Sequence, residues 1–463
     1  MPIKAAIARP TVVRGVALAV LLMMGLLLRL WIATSPGFEW DVGTNQGWAK
    51  SAVLLGLAQS YTEQLDGNML PNYPPFSLIL FGSIGHVYYA GWGDDFAAHP
   101  TAFRLLIKLP AILTDLGTAL LFYFLLKRWR SRSAGLLAAA IFTFHPAVLY
   151  ESAYWGQTDS IFTFFMTAAL GLFAGGWMVA AGALIALALF TKVQTVMLGL
   201  FFLIISLLAG WKNFVKVCAG ALPVAFLVLF PYWLGGNLQA AINVMADSVG
   251  YYSIVSSASY NLWWTVLSDS AGTIQDTELL FGIISYRHLG FLLFFLANIY
   301  VTALFWKRWR PFRPGRAAFF TLFAAAGFLA YTFFFVSTQM HERYLFPFVA
   351  LGFPMAFINR KGALLYTAVS LLFLSNLMGW LPWTSIDRTL FSTFPTLDVL
   401  IAVCQLFAYI AVARYLFALE RKILPPAKQD RISAWIHARL HHLRRWCKMP
   451  TRMPLKRWAE VLK

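Results

Sequence analysis

Long apolar runs recur along the whole chain, and they decide what it can fold into. A membrane-crossing helix needs about 20 mainly apolar residues, and runs of that kind are separated here only by short polar stretches. We read twelve of them, over 15–34, 104–126, 134–152, 160–175, 177–191, 195–211, 214–234, 288–306, 317–337, 344–358, 362–380 and 396–418. Residues 160–211 form one nearly continuous apolar stretch from which three of these are cut. With 60% hydrophobic and 12% charged residues and a mean hydropathy of +0.67, the composition excludes a soluble single-core enzyme. The expected fold is all-α, a polytopic helical bundle over 1–418 followed by a basic tail over 419–463.

Charge placement orients the spans. Segment 76–93 is apolar enough to be a thirteenth crossing, but counting it would put Lys127, Arg128, Arg130 and Arg132 outside, against the bias of cytoplasmic loops toward lysine and arginine. Read as an interfacial or re-entrant segment, it leaves both termini inside. The inner face then takes 28 of the 37 lysines and arginines, with only Glu420, Asp430 and Glu460 among its acids. The outer face takes fifteen of the 19 acids against seven basic residues, and Arg29, Asp115 and Arg414 fall inside spans. The net charge of +18 thus reads as a basic inner face in contact with membrane lipids, and no nucleic-acid partner is expected.

The first span runs to Trp31 without a cleavage site and reads as an uncleaved anchor. In the tail, Ile432, Trp435, Ile436, Leu440 and Leu443 recur at helical spacing among Arg431, Arg439, Arg444 and Arg445, which predicts an amphipathic helix on the anionic inner leaflet. Cys218, Cys404 and Cys447 have neither disulfide-scaffold nor zinc-ligand spacing.

Two outer connections are long, 35–103 and 236–287, and loops of that size are commonly functional. The first opens with Phe38-Glu39-Trp40-Asp41, which sets a carboxylate at headgroup depth. Asp41 there can take the proton of an attacking hydroxyl, with Glu39 in reserve; an isolated loop aspartate is otherwise simply solvated. In Asn72-Tyr73-Pro74-Pro75-Phe76 the prolines fix the backbone and start the interfacial segment at a defined angle. The connection from Glu151 to Ser160 gathers Trp155, Gln157 and Asp159. Amide and carboxylate groups suit sugar hydroxyls and aromatic rings suit the apolar sugar face, although an aromatic belt or a helix N-cap would use the same residues.

Lys192 and Gln194 occupy a hairpin between two spans, where Lys192 either snorkels or meets an anion. The densest cluster is His341-Glu342-Arg343, because three ionisable residues at a membrane boundary are costly unless paired or used. His341 and Arg343 can donate to a phosphate, and Glu342 can orient either or serve a structural ion pair. With Arg104, Lys108 and Lys192 they outline a site for one phosphate. In the loop 236–287, Tyr251, Tyr252, Tyr260, Asn261, Trp263 and Trp264 are expected to shape an acceptor groove. A base, a phosphate clamp and sugar-binding amides are the equipment for moving a sugar off a lipid phosphate.

Taken in order, Trp40-Asp41 with Trp48, Tyr73-Pro74-Pro75, Trp155-Gly156-Gln157-Thr158-Asp159, Lys192 with Gln194, Asn261-Leu262-Trp263 and His341-Glu342-Arg343 resemble the GT-C superfamily of multi-spanning glycosyltransferases over roughly residues 35–350. Within it the pattern is similar to the dolichyl-phosphate-glucose-dependent glucosyltransferases of asparagine-linked glycan assembly and their bacterial relatives. The resemblance implies Asp41 as the catalytic carboxylate, with Asn45 and Trp48 at the places of the family's glutamine and tryptophan. Tyr73-Pro74-Pro75-Phe76 matches the family's Tyr-Pro-Pro-Leu, and Gln157 and Asp159 keep part of its His-Phe-Gln-Tyr-Asn. His341-Glu342-Arg343 stands for its His-Glu-Lys and keeps a histidine for the donor phosphate. The resemblance also implies an inverting reaction with no bound metal or other cofactor, a polyprenyl-phosphate sugar as donor, and interfacial helices in the first outer loop.

The expected function is transfer of a single hexose, glucose or mannose, from polyprenyl phosphate to a hydroxyl of a glycan, lipid or protein acceptor. The active site would face outward from a bacterial plasma membrane, or into the lumen of the endoplasmic reticulum. One rival is a transporter or flippase of a lipid-linked sugar, for which internal repeats and midplane charges would be expected. Another is a membrane ligase or polymerase that adds whole glycan chains.

Overall fold

The structure, a computed structural model, describes residues 10–306 and 312–423, and these are helical apart from two short strand pairs and the connecting turns. Seven helices are long and apolar enough to cross a membrane: Val13–Ala33, Pro100–Trp129, Trp211–Leu234, Tyr286–Phe305, Arg316–Val336, Arg360–Trp380 and Leu397–Leu419. Arg132–Thr143 and Pro146–Trp155, bent by 44° at the break before Pro146, make an eighth if taken as one span. Four further expected spans are shorter apolar helices, Asp159–Ala174, Met178–Thr191, Val193–Leu208 and Phe346–Phe357.

The sequence explains the shortening. The 160–211 stretch is cut at Gly175-Gly176, where Gly176 has φ +88°, and at Lys192, whose backbone is extended. Pro347, Gly352 and Pro354 break the segment after Tyr344 into the helix Phe346–Leu351 and a tight turn Phe353–Phe357.

Burial sorts the long helices. Arg316–Val336 is buried over 94% of its apolar window and stands at the centre, its Phe and Ala residues filling space on every side. Trp211–Leu234 is the opposite case, 17% buried, with Leu222, Phe226, Leu227, Trp233 and Leu234 exposed along it. Such a face is stable in lipid and not in water. It packs on Met178–Thr191 through small residues: a Cβ on Gly182 would lie 1.9 Å from the carbonyl oxygen of Val217, and one on Gly220 1.8 Å from that of Val179.

The two charges expected inside neighbouring spans find each other. Arg29 Nε lies 3.2 Å from Asp115 Oδ2, its Nη1 donates to the Thr143 carbonyl at 2.7 Å, and Ser152 also donates to Asp115. Paired in this way, a buried guanidinium and carboxylate are tolerated among apolar helices.

The loop 35–103 folds into two helices, Glu39–Leu54 and Pro75–Trp92, the second starting at the diproline. They pack through Trp48, Phe81 and Tyr88, and so closely that a Cβ on Gly85 would sit 2.4 Å from the carbonyl oxygen of Ala49. The loop 236–287 carries the helices Leu238–Ala246 and Leu262–Leu267 and a hairpin, Leu279–Leu280 with Ile284–Ser285. It is tied to the turn after the central helix by a parallel strand pair, Ser256–Ser257 with Met340–His341.

A second tie is Asp276, fully buried, which accepts from Arg287 Nε at 2.9 Å, Arg287 Nη2 at 2.6 Å, Thr338 Oγ1 at 2.8 Å and Gln339 Nε2 at 2.7 Å. Burial alone would raise this carboxyl, but the hydrogen bonds outweigh it and hold it below its ordinary 3.8. Its stabilisation is therefore complete above about pH 4 and lost as pH falls through the lower folded-state value. Asp276→Asn is expected to lower stability at pH 7 by about 2 kcal/mol, and the thermal midpoints of variant and wild type should converge as pH drops below 4. A gap that persists at pH 3 would mean that shape, not charge, is what the variant loses.

By contact the chain divides into Met1–Phe417 and Ala418–Lys463. The amphipathic helix expected in the tail lies outside the described residues.

Candidate active site

Between the loops 35–103 and 236–287, the hairpin at Lys192 and the turn after the central helix lies a cavity of about 540 Å³, a size usual for a small-molecule site. Of the residues singled out from sequence, Trp40, Asp41, Asn45, Trp48, Tyr73, Lys192, Gln194, Tyr251, Tyr252 and Arg343 are among those that line it.

Asp41 is the third residue of the helix Glu39–Leu54, at its electropositive end. Its Oδ2 accepts from Trp155 Nε1 at 2.9 Å and from Gln157 Nε2. No hydrogen bond is made by Oδ1 among the described residues. Trp155 and Gln157 are buried and do not line the cavity, so they hold the carboxylate rather than a sugar.

Local backbone places them. Leu149–Trp155 is a seven-residue π-helical stretch that ends at Gly156 in the left-handed region, φ +93°, and both Gly156 and Gln157 donate backbone N–H to the Glu151 carbonyl. A Cβ on Gly156 would lie 2.7 Å from Val42 Cγ2 and 2.9 Å from Lys108 Cε. Gly156→Ala thus adds a contact to a strained backbone and is expected to cost about 2 kcal/mol or more, read as a lowered thermal midpoint. An unchanged midpoint would show that the turn does not need glycine.

Lys108 is not a phosphate ligand in this arrangement. Its ammonium donates to the carbonyls of Ser35, Ala153 and Tyr154 at 3.0, 3.1 and 3.0 Å, is fully buried, and stays off the cavity wall. It fastens the end of the first helix to the π-helical turn. Arg104, one turn earlier, donates to the Thr34 carbonyl at 3.0 Å.

The cations that do reach the cavity are Lys192 and Arg343. Lys192 is ion-paired with Asp159 and sits 5.0, 5.7 and 5.9 Å from the ring centroids of Tyr73, Tyr344 and Phe162. Arg343 Nη1 donates to Glu342 at 2.7 Å, and its Nε lies 3.8 Å from Asp159 Oδ2. Asp159, expected beside the sugar, is instead a buried counter-ion of these two cations, and Glu342 is buried in the structural ion pair with Arg343 that the sequence had offered as one of its roles. Burial raises the Glu342 carboxyl and Arg343 beside it works the other way.

His341 does not line the cavity. Its ring stands 4.8 Å from that of Tyr252, its Nδ1 is 3.9 Å from Glu342 Oε2, and its Nε2 has no hydrogen bond among the described residues. Burial first, then Arg343 and Lys192, hold its pKa well below the ordinary 6.5, so it is a neutral imidazole rather than a second cation.

Three more residues fall elsewhere. Asn261 caps the helix Leu262–Leu267, accepting from the N–H of Trp263 and Trp264, and donates to the Phe334 carbonyl at 3.2 Å. Trp263 Nε1 donates to the Val336 carbonyl at 3.0 Å, so the pair anchors the loop to the central helix. Glu39 is an exposed residue of the first helical turn and stays outside the cavity.

Sequence reasoning passed over Gln64, Asn243, Asp247 and Ser248, all on the cavity wall. The available signal was periodic: Ala240, Asn243, Val244 and Asp247 share one helical face. Among the described residues no cluster of three His, Cys, Asp or Glu side chains is arranged to hold a metal. Set against known proteins, the chain matches no family model and no curated sequence.

Proposed function

We propose that the chain is a membrane glycosyltransferase which moves one hexose from a polyprenyl phosphate to an acceptor hydroxyl on the outer or luminal face. One observation carries the reading: the Asp41 carboxylate is gripped on Oδ2 while Oδ1 is uncommitted among the described residues, in a cavity that also presents Arg343 and Lys192.

In this scheme the acceptor hydroxyl gives its proton to Asp41 Oδ1 as its oxygen attacks the anomeric carbon from the face opposite the phosphate. The bond from that carbon to the phosphate oxygen breaks, and its electron pair leaves with polyprenyl phosphate, so configuration inverts. Arg343 and Lys192, fixed beforehand by Glu342 and Asp159, stabilise the charge that develops on the departing oxygen. Trp155 and Gln157 keep the base from rotating away, a positioning role that spares the reaction the cost of finding the geometry. The proposed topology puts both termini inside, with the short apolar helices and the bent pair embedded beside the seven long ones in a bacterial plasma membrane.

The test offers detergent-purified protein short-chain polyprenyl-phosphate glucose and mannose with a panel of acceptors, and follows both sugar transfer and release of polyprenyl phosphate. Inverted product formed at the same rate in EDTA is expected. Donor that binds without release under every acceptor would overturn the reading and turn attention to flipping across vesicles.

A further inference from the structure

One wall of the cavity has no part in the chemistry just described. The helix Leu238–Ala246 packs Ala240, Ala241 and Val244 on the cluster around Trp48 and Tyr61, and its Ala240, Asn243 and Val244, followed by Asp247 and Ser248, line the cavity. Gln239 Nε2 donates to Asn243 Oδ1 at 2.6 Å, which leaves the Asn243 amide N–H groups without a hydrogen bond among the described residues. The Asp247 carboxylate is exposed and makes neither an ion pair nor a side-chain hydrogen bond among them. By contrast Asp159 and Glu342 are tied to cations, and Asp41 is half held. Asp247 is thus a carboxylate in the cavity with two accepting oxygens and no side-chain partner among the described residues.

Resting on the transferase reading above, we infer that Asp247 and Asn243 form the acceptor-recognition wall of the cavity and that the acceptor they select is a neutral carbohydrate. A carboxylate accepts from two hydroxyls on neighbouring ring carbons in the bidentate manner, and the amide beside it donates to a ring or hydroxyl oxygen. Trp40 and Tyr251, both on the cavity wall and 67% and 48% exposed, offer flat faces for the apolar side of a sugar ring. A single alcohol on a peptide would leave most of these groups unused.

Charge then sorts the two substrates within one cavity. The donor phosphate is drawn to Arg343 and Lys192, while Asp247 repels an anionic group from its own end. An acceptor with a phosphate close to the reacting hydroxyl is therefore disfavoured, and a neutral sugar is not.

The test uses the full chain in detergent and needs no donor. Neutral di- and trihexosides of glucose and mannose, a serine-containing peptide and phosphatidylglycerol are each titrated, with binding read by saturation-transfer NMR, against wild type, Asp247→Ala and Asn243→Ala. At least one neutral oligosaccharide is expected to bind wild type saturably, with affinity falling about tenfold in Asp247→Ala and less in Asn243→Ala. Equal thermal midpoints establish that the exposed substitutions leave the fold intact. In the transfer assay Asp247→Ala should raise the acceptor KM by a similar factor while the donor KM stays within twofold.

Oligosaccharide that binds wild type and Asp247→Ala equally, or that does not bind at all, overturns the inference, as does transfer to the peptide or the phospholipid alone. Binding that depends on Asp247 in a protein that never transfers sugar would instead overturn the transferase reading and leave the carbohydrate wall standing.

Discussion

Asp41→Asn should slow sugar transfer by about 10³-fold, roughly 4 kcal/mol of transition-state stabilisation, while donor affinity changes less than twofold. The geometry makes the substitution clean. The asparagine oxygen can keep accepting from Trp155 and Gln157, so the amide NH2 comes to lie where the basic oxygen was. Fold and cavity shape are preserved and only the proton acceptor is lost. Glu39→Gln is the control, since Glu39 is exposed and off the cavity wall, and its rate should match wild type. If Glu39→Gln is the inactive variant and Asp41→Asn keeps its rate, the base has been assigned to the wrong residue.

The second large effect concerns Asp159 and Lys192, which are both buried and paired. Asp159→Leu strands the Lys192 ammonium in a low-dielectric site and weakens the hold on Arg343, and removing one member of such a pair costs about 3–5 kcal/mol. The double variant Asp159→Leu, Lys192→Met buries no unpaired charge and should recover most of that loss. Stability and function are expected to part company there: the thermal midpoint returns toward wild type, and donor binding does not. A double variant that binds donor as wild type does would remove Lys192 from the phosphate site and leave Arg343 alone in it.

Parts of this arrangement could be read along the chain and parts could not. Asp41, Asn45, Trp48 and Tyr73 lie on the one loop 35–103, where short range in sequence is also short range in space, and all four line the cavity. Trp155 and Gln157 were visible as polar and aromatic residues at a membrane mouth. Their task was not, because it depends on a π-helical stretch and a left-handed Gly156 that no 3.6-residue periodicity announces. Lys108 reads as an outward cation only until that same stretch turns two carbonyls toward it. Asp159 was expected beside a sugar, yet it meets a lysine 33 residues on and an arginine still farther along, pairings that spacing does not encode, whereas the Glu342 pair with adjacent Arg343 was open to sequence reading. The long helices were legible because apolar length alone specifies them. The 160–211 stretch was divided correctly into three, but its helices are shorter than spans because two glycines and an extended lysine set their ends.

The pairing of Arg29 with Asp115 also bears on how the chain is made. A lone charge inside a span costs about 2.5–3.5 kcal/mol on insertion scales, so the first helix and Pro100–Trp129 each gain by meeting the other in a bilayer. The two charges are separated by 86 residues of chain, which the ribosome supplies well after the first helix has emerged. The first helix therefore gains this part of its stability only once Pro100–Trp129 arrives. Thr143 and Ser152, which complete the same cluster from the bent pair, come later still, so one buried polar cluster ties together the first helix, Pro100–Trp129 and the bent pair.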